Sequence, residues 1–141
     1  MNVIRIPLVI LVFLVFYGCS GSGVPQGYES PQALAMAYQN YHDAQDIDGL
    51  LSLVYSSSGD KELHSSSFAD DVQLEITDIT IEALEAGALD SWKKRGIEPN
   101  IAPVGWLKVT LQVPDNHGAA SSYSQYLIGR KDGRYYIASN Q

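Results

Sequence analysis

The side chains able to do acid–base chemistry are few and scattered. Asp78 stands where an alternating strand pattern breaks. Such a break re-aims a side chain, so Asp78 could be turned into a pocket. Tyr38, Tyr41 and His42 share the Ala-rich stretch 32–43. A carboxylate or imidazole base beside a phenol donor suits proton abstraction, with the phenol stabilising the developing oxyanion. Each residue also has a plain reading. Asp78 fits a solvated bulge, Tyr38 and Tyr41 fit core aromatics with hydroxyls at the rim, and His42 lies off the apolar stripe and fits a surface position. Asp78, His42, Tyr38 and Tyr41 are therefore the candidates, and none is assigned a catalytic role.

Other chemistries are excluded or weak. His42, His64 and His117 lack the spacing of a His-x-x-x-His pair, and the acids around His42 do not form a calcium loop. No metal and no cofactor is expected. Cys19 is the only cysteine, so neither an intramolecular disulfide nor a multi-thiolate zinc site can form. The tracts Ser56-Ser57-Ser58 and Ser65-Ser66-Ser67 lack a Gly-x-Ser-x-Gly elbow and read as loop. Trp92 and Trp106 flank Lys93-Lys94-Arg95. That pattern suits a stacking-plus-charge site, or three cations placed at a helix C-terminus. With 9 Lys+Arg against 16 Asp+Glu, the chain lacks the basic face a nucleic-acid partner needs.

Met1 to Arg5 is a short cationic start, followed by a greasy run from Ile6 to Tyr17. As a helix that run measures roughly 18 Å at 1.5 Å per residue, against a bilayer core of about 30 Å. It reads as a signal h-region. Gly18-Cys19 and the polar Ser20-Gly21-Ser22-Gly23 follow. This stretch resembles the lipobox of bacterial lipoproteins, although Phe16 and Tyr17 stand where Leu and Ala or Ser are usual. The resemblance implies that the Cys19 thiol accepts diacylglycerol and becomes the new N-terminus. It also implies a palmitate-type anchor in the cell envelope, and Ser20 implies the outer membrane, facing the periplasm, in a Gram-negative host. The expected organisation is a signal peptide over 1–18, a lipidated Cys and flexible linker over 19–28, and one domain over 29–141.

The elements that must position these residues are helices first, then strands. Ser30-Pro31 is an N-cap followed by a favoured first helical residue. Leu34, Ala37, Tyr38 and Tyr41 then make an apolar stripe. Asp46 or Asp48 can cap a second helix carrying Leu50, Leu51, Leu53 and Val54. Asp60 to His64 allows one further helical turn. Val72, Leu74 and Ile76 alternate with polar residues, then Ile79 and Ile81 take the opposite parity, which requires a bulge near Thr77-Asp78. A short helix is expected around Leu89 to Arg95, ended by Gly96. Three strands follow in a meander: Leu107 to Val113, Tyr123 to Arg130, and Tyr135 to Ser139. Turns at Pro114 to Gly118 and at Lys131-Asp132-Gly133 join them.

This order predicts an α+β domain with N-terminal helices packed on a bent antiparallel β-sheet. Stretch 30–139 resembles the NTF2-like, or cystatin-like cone, superfamily. The resemblance is carried by Ser30-Pro31, Asp46-Ile47-Asp48-Gly49-Leu50-Leu51 and Gly133-Arg134-Tyr135-Tyr136-Ile137, and is nearest to its small lipoprotein members. It implies a pocket between sheet and helices, with segment 86–103 available to cap its mouth. The expected function is a membrane-anchored binding module for a small apolar ligand or an envelope protein. The alternatives are an isomerase, dehydratase or hydrolase using a pocket Asp or His with Tyr, and a structural module in which the sheet face forms a homodimer.

Overall fold

Helix α1, Pro31–Asp43, begins where capping chemistry places it: Ser30 Oγ accepts a hydrogen bond from the Ala33 N–H at 3.0 Å, and Pro31 opens the first turn. The computed structural model describes residues 27–56, 61–114 and 121–139. The leader, Cys19, His117 and most of the turn expected over 114–118 lie outside the described residues. Helix α2, Ile47–Ser52, is capped by Asp46, whose Oδ1 accepts from the Gly49 N–H at 2.9 Å. Helix α3 spans Lys61–Asp71 and α4 spans Ala88–Lys94. Among the described residues, no helix is long and apolar enough to cross a membrane.

The strands are β1 (Glu75–Ala83), β2 (Ala102–Gln112), β3 (Ser122–Lys131) and β4 (Arg134–Ile137). They form one antiparallel sheet in the order β1-β2-β3-β4, curled into a half-barrel. The curl has two local sources. Register shifts fall between Ile76 and Asp78 on β1 and between Pro103 and Gly105 on β2. An extra residue on one strand bends it and tightens its twist. The first shift lies where the parity flip required it. Asp132 and Gly133 close the β3–β4 hairpin with φ of 50° and 76°, the left-handed pair of a two-residue turn.

The sheet buries both faces unequally. Leu107, Val109, Leu111, Tyr126 and Ile128 face the helices and pack with Leu34, Tyr38, Leu50, Leu53 and Phe68. Each fully buried side chain of this kind contributes about 1.5–3 kcal/mol of apolar transfer energy. On the other face Leu127 joins Ile101 and Ala138, and Trp92 and Trp106 pack against them. The free edge of β4 is covered: Tyr28 and Tyr135 exchange backbone hydrogen bonds at 3.0 and 2.9 Å, and Val54 bridges Ile137.

Three sequence expectations are corrected. Ser65-Ser66-Ser67 is helical, inside α3. Serine is a weak helix former, so this segment is held by tertiary contacts at Phe68 and Asp71, the buried positions of α3. Tyr28, assigned to the linker, is paired with β4. His42, expected on the surface, is 3% exposed. The buried stripe of α1 runs Leu34, Tyr38, His42 in four-residue steps, and Ala37 and Tyr41 flank it.

Candidate functional site

A cavity lies against the second, less covered face of the sheet. Alternation along β2 and β3 brings Trp106, Gln125 and Leu127 to that face. Helix α4 lays Trp92 over Trp106, with ring centroids 5.6 Å apart at 75°, the edge-to-face arrangement that aromatic quadrupoles favour. The chain leaving α4 adds Arg95 and Ile97, and the start of α3 adds Leu63, His64 and Ser67. Ala138 and Ser139 close the wall where the chain leaves β4. The cleft is open on one side and has a volume of about 650 Å³, within the range of about 300–1,000 Å³ typical of small-molecule sites. Most of the lining is apolar, and a few polar groups converge on it. His64 Nε2 lies 3.0 Å from Ser139 Oγ, and the His64 ring stacks on Phe68.

A second constellation sits behind this wall, in the main core. Asp71, at the end of α3, is 7% exposed. Its Oδ1 accepts from Ser124 Oγ at 2.9 Å, and its Oδ2 accepts from the hydroxyls of Tyr38, at 3.4 Å, and Tyr126. A buried carboxylate is tolerated when hydroxyls satisfy it in this way. Burial pushes the Tyr38 and Tyr126 hydroxyls far above their usual range, and the nearby Asp71 carboxylate adds to the rise. Both phenols therefore stay protonated and donate. His42 Nε2 lies 2.9 Å from the Asp71 backbone carbonyl. A carbonyl only accepts, so Nε2 carries the proton. The other nitrogen, Nδ1, is buried without a hydrogen-bond partner, 3.6 Å from Asp43 Oδ1. This cluster ties α1, α3 and β3 together.

The sequence candidates do not meet in one place. Tyr38 is fully buried and donates to Asp71. His42 is part of the same cluster and also lines a shallow polar groove with Gln39, Asp43 and Gln73. Tyr41 sits at the rim of the core, beside Tyr28. Burial, and next the Tyr41 hydroxyl, push the Tyr28 phenol up to about 12. Asp78 is exposed on β1, an edge of the sheet. An exposed charge there, with Glu75 and Glu82, discourages pairing with a further strand. Among the described residues, no group of three or more His, Cys, Asp or Glu could hold a metal ion.

Sequence reasoning missed Asp71 and His64. Asp70 and Asp71 end a helix, where the macrodipole disfavours negative charge. That misplacement was the available signal that one of them is held by another part of the fold. His64, Phe68 and Asp71 also keep a helical i, i+4, i+7 spacing, hidden by the serines between them. Of the two readings of Trp92, Lys93-Lys94-Arg95 and Trp106, the sequence favours cations at a helix end, and Lys93, Lys94 and Arg95 do end α4; the fold also brings Trp92, Arg95 and Trp106 to one cavity. Compared with known proteins, the chain matches no family model, no curated protein and no solved structure.

Proposed function

We propose that this chain is a membrane-anchored envelope lipoprotein whose NTF2-like domain binds a small apolar ligand. The observation that carries the binding reading is the cavity of about 650 Å³ walled by Trp92, Trp106, Leu127 and Ile97. Rigid aromatic walls with a few converging polar groups are the make-up of a small-molecule site. The NTF2-like assignment is supported by helices preceding a curled antiparallel sheet. In this reading segment 86–103, expected to cap the mouth of the pocket, supplies one wall of the cavity through Trp92 on α4 and through Arg95 and Ile97 after it. The lipid-anchor reading is supported by Gly18-Cys19 after a short greasy run. Native mass spectrometry of the protein isolated from its own host tests the binding reading. A bound small molecule that is released on unfolding supports it. A chain found ligand-free, and unable to take up hydrophobic probes, overturns it.

One contact favours a second, enzymatic reading. His64 Nε2 and Ser139 Oγ lie 3.0 Å apart on the cavity wall, within reach for a base to take a hydroxyl proton. In an esterase the Ser139 oxygen would attack the ester carbonyl as His64 accepts the proton. The alcohol would leave with that proton, and water would then release the acid. Turnover of p-nitrophenyl butyrate by the full chain, lost in Ser139→Ala and in His64→Gln, supports this reading. Turnover equal in all three proteins rejects it.

A further inference from the structure

We infer that the occupant of the Trp92/Trp106 cavity is an amphipathic anion: an apolar body carrying a carboxylate or phosphate head, with Arg95 holding the head. The inference rests on the binding reading above and names the ligand class for that site.

The charge of the lining carries the argument. The whole chain is acidic, at a net charge of −7, yet no Asp or Glu lines this cavity. Its ionisable groups are the Arg95 guanidinium, the His64 imidazole and the Tyr126 phenol, which donates to Asp71, alongside the neutral hydroxyls of Ser67 and Ser139 and the amide of Gln125. This acidic protein thus lines an aromatic-walled cavity with positive charge and no carboxylate, and the Asp71 carboxylate behind the wall is taken up by the hydroxyls of Tyr38, Ser124 and Tyr126. Lys93 and Lys94, which precede Arg95, reinforce that sign.

Among the arginines of the described residues, Arg95 is also the one left available. The Arg130 guanidinium lies over the Tyr135 ring, 5.6 Å from its centroid. Arg134 donates to the Gly27 carbonyl at 3.2 Å. Arg95 shows no such contact among the described residues, and it caps the C-terminal end of α4 and lines the cavity with Trp92. A guanidinium presents paired donors that match a carboxylate or phosphate edge. The two tryptophans, Leu63, Ile97 and Leu127 offer apolar area to the remainder of the ligand. A neutral oil would leave Arg95 idle, and a cation would meet a like charge.

The tryptophan content makes the test direct. The chain has 2 tryptophans, and both line this cavity. Tryptophan emission is measured for the full chain in neutral phosphatidylcholine vesicles during titration with octanoate, octanol and octylammonium, matched in tail and differing in head. Octanoate is expected to shift the emission saturably and about tenfold or more tighter than octanol, given the strength of charge-assisted hydrogen bonds. Octylammonium is expected to be weakest. Arg95→Gln, at an exposed position, is expected to bring octanoate down to the octanol value and leave octanol unchanged. Octyl phosphate binding like octanoate marks the head as any compact anion. An emission change on moving the protein to phosphatidylglycerol vesicles, with no amphiphile added, marks the anion as a bilayer lipid, and its absence marks a free amphiphile. Octanol or octylammonium binding as tightly as octanoate overturns the anion assignment and leaves the cavity reading standing. No saturable change with any of the three overturns both.

Discussion

At the scale of single residues, Asp71 matters most to the fold. It accepts from hydroxyls on α1 and β3, so removing its charge leaves buried donors poorly matched. Asp71→Asn is expected to lower the unfolding free energy by about 2–3 kcal/mol, the scale of hydrogen bonds to a charged group. Urea unfolding followed by circular dichroism measures it, and a loss under half a kilocalorie would contradict the role given to the cluster. The phenols set the response to alkali. Tyr28, Tyr38 and Tyr126 have folded-state pKa values raised above the ordinary 10.0. Below pH 10 both folded and unfolded chains hold these protons, and the full contribution to stability is present. Above pH 10 the unfolded chain releases them first, so stability falls as pH rises. The urea midpoint should be flat near neutrality and decline from about pH 10. Tyr126→Phe should decline less steeply from a lower starting value. Little of this was legible in sequence. Tyr38 reads as a core aromatic, but its partner Asp71 is 33 positions away, and local patterning does not pair residues at that distance.

At the scale of elements, those with strong local chemistry were readable. Ser30-Pro31, Asp46 and Asp132-Gly133 start or turn the chain through side chains and backbone preferences that act over three or four residues. The period-two stretch in β2 was equally plain. Helix α3 was not, because its serines weaken the local signal and its burial comes from Phe68 packing between Tyr38 and Tyr126. The bulge on β1 could be inferred from parity, whereas the one on β2 follows from packing against its neighbour. At that second bulge a Cβ on Gly105 would stand 2.5 Å from the Glu82 carbonyl oxygen. Backbone cannot yield there as a side-chain tip would. Gly105→Ala should therefore destabilise the domain by about 1–3 kcal/mol, as overpacking does, and thermal unfolding would show it as a lowered midpoint. An unchanged midpoint would mean that β1 and β2 separate easily at this point.

For the whole molecule, the proposal joins an address to a site. The segment with the lipobox resemblance precedes the described residues, and Tyr28 fastens the chain to β4 as it enters the fold. Cys19→Ser should release the protein from the membrane fraction and abolish incorporation of labelled palmitate. Retention and labelling equal to wild type would remove the lipid-anchor reading and leave the cavity untouched. The cavity itself was only half legible. Its tryptophans and Arg95 are near one another in sequence, but His64, Leu127 and Ser139 reach it through the curl of the sheet and the docking of α3. The central claim is that this cavity holds an apolar ligand. Energy transfer from its two tryptophans to N-phenyl-1-naphthylamine measures that directly. Saturable quenching of tryptophan emission in the full chain, abolished by Ser67→Phe, which fills the cavity from an exposed position on α3, is the result expected. Quenching that does not saturate, or that Ser67→Phe leaves unchanged, would contradict it.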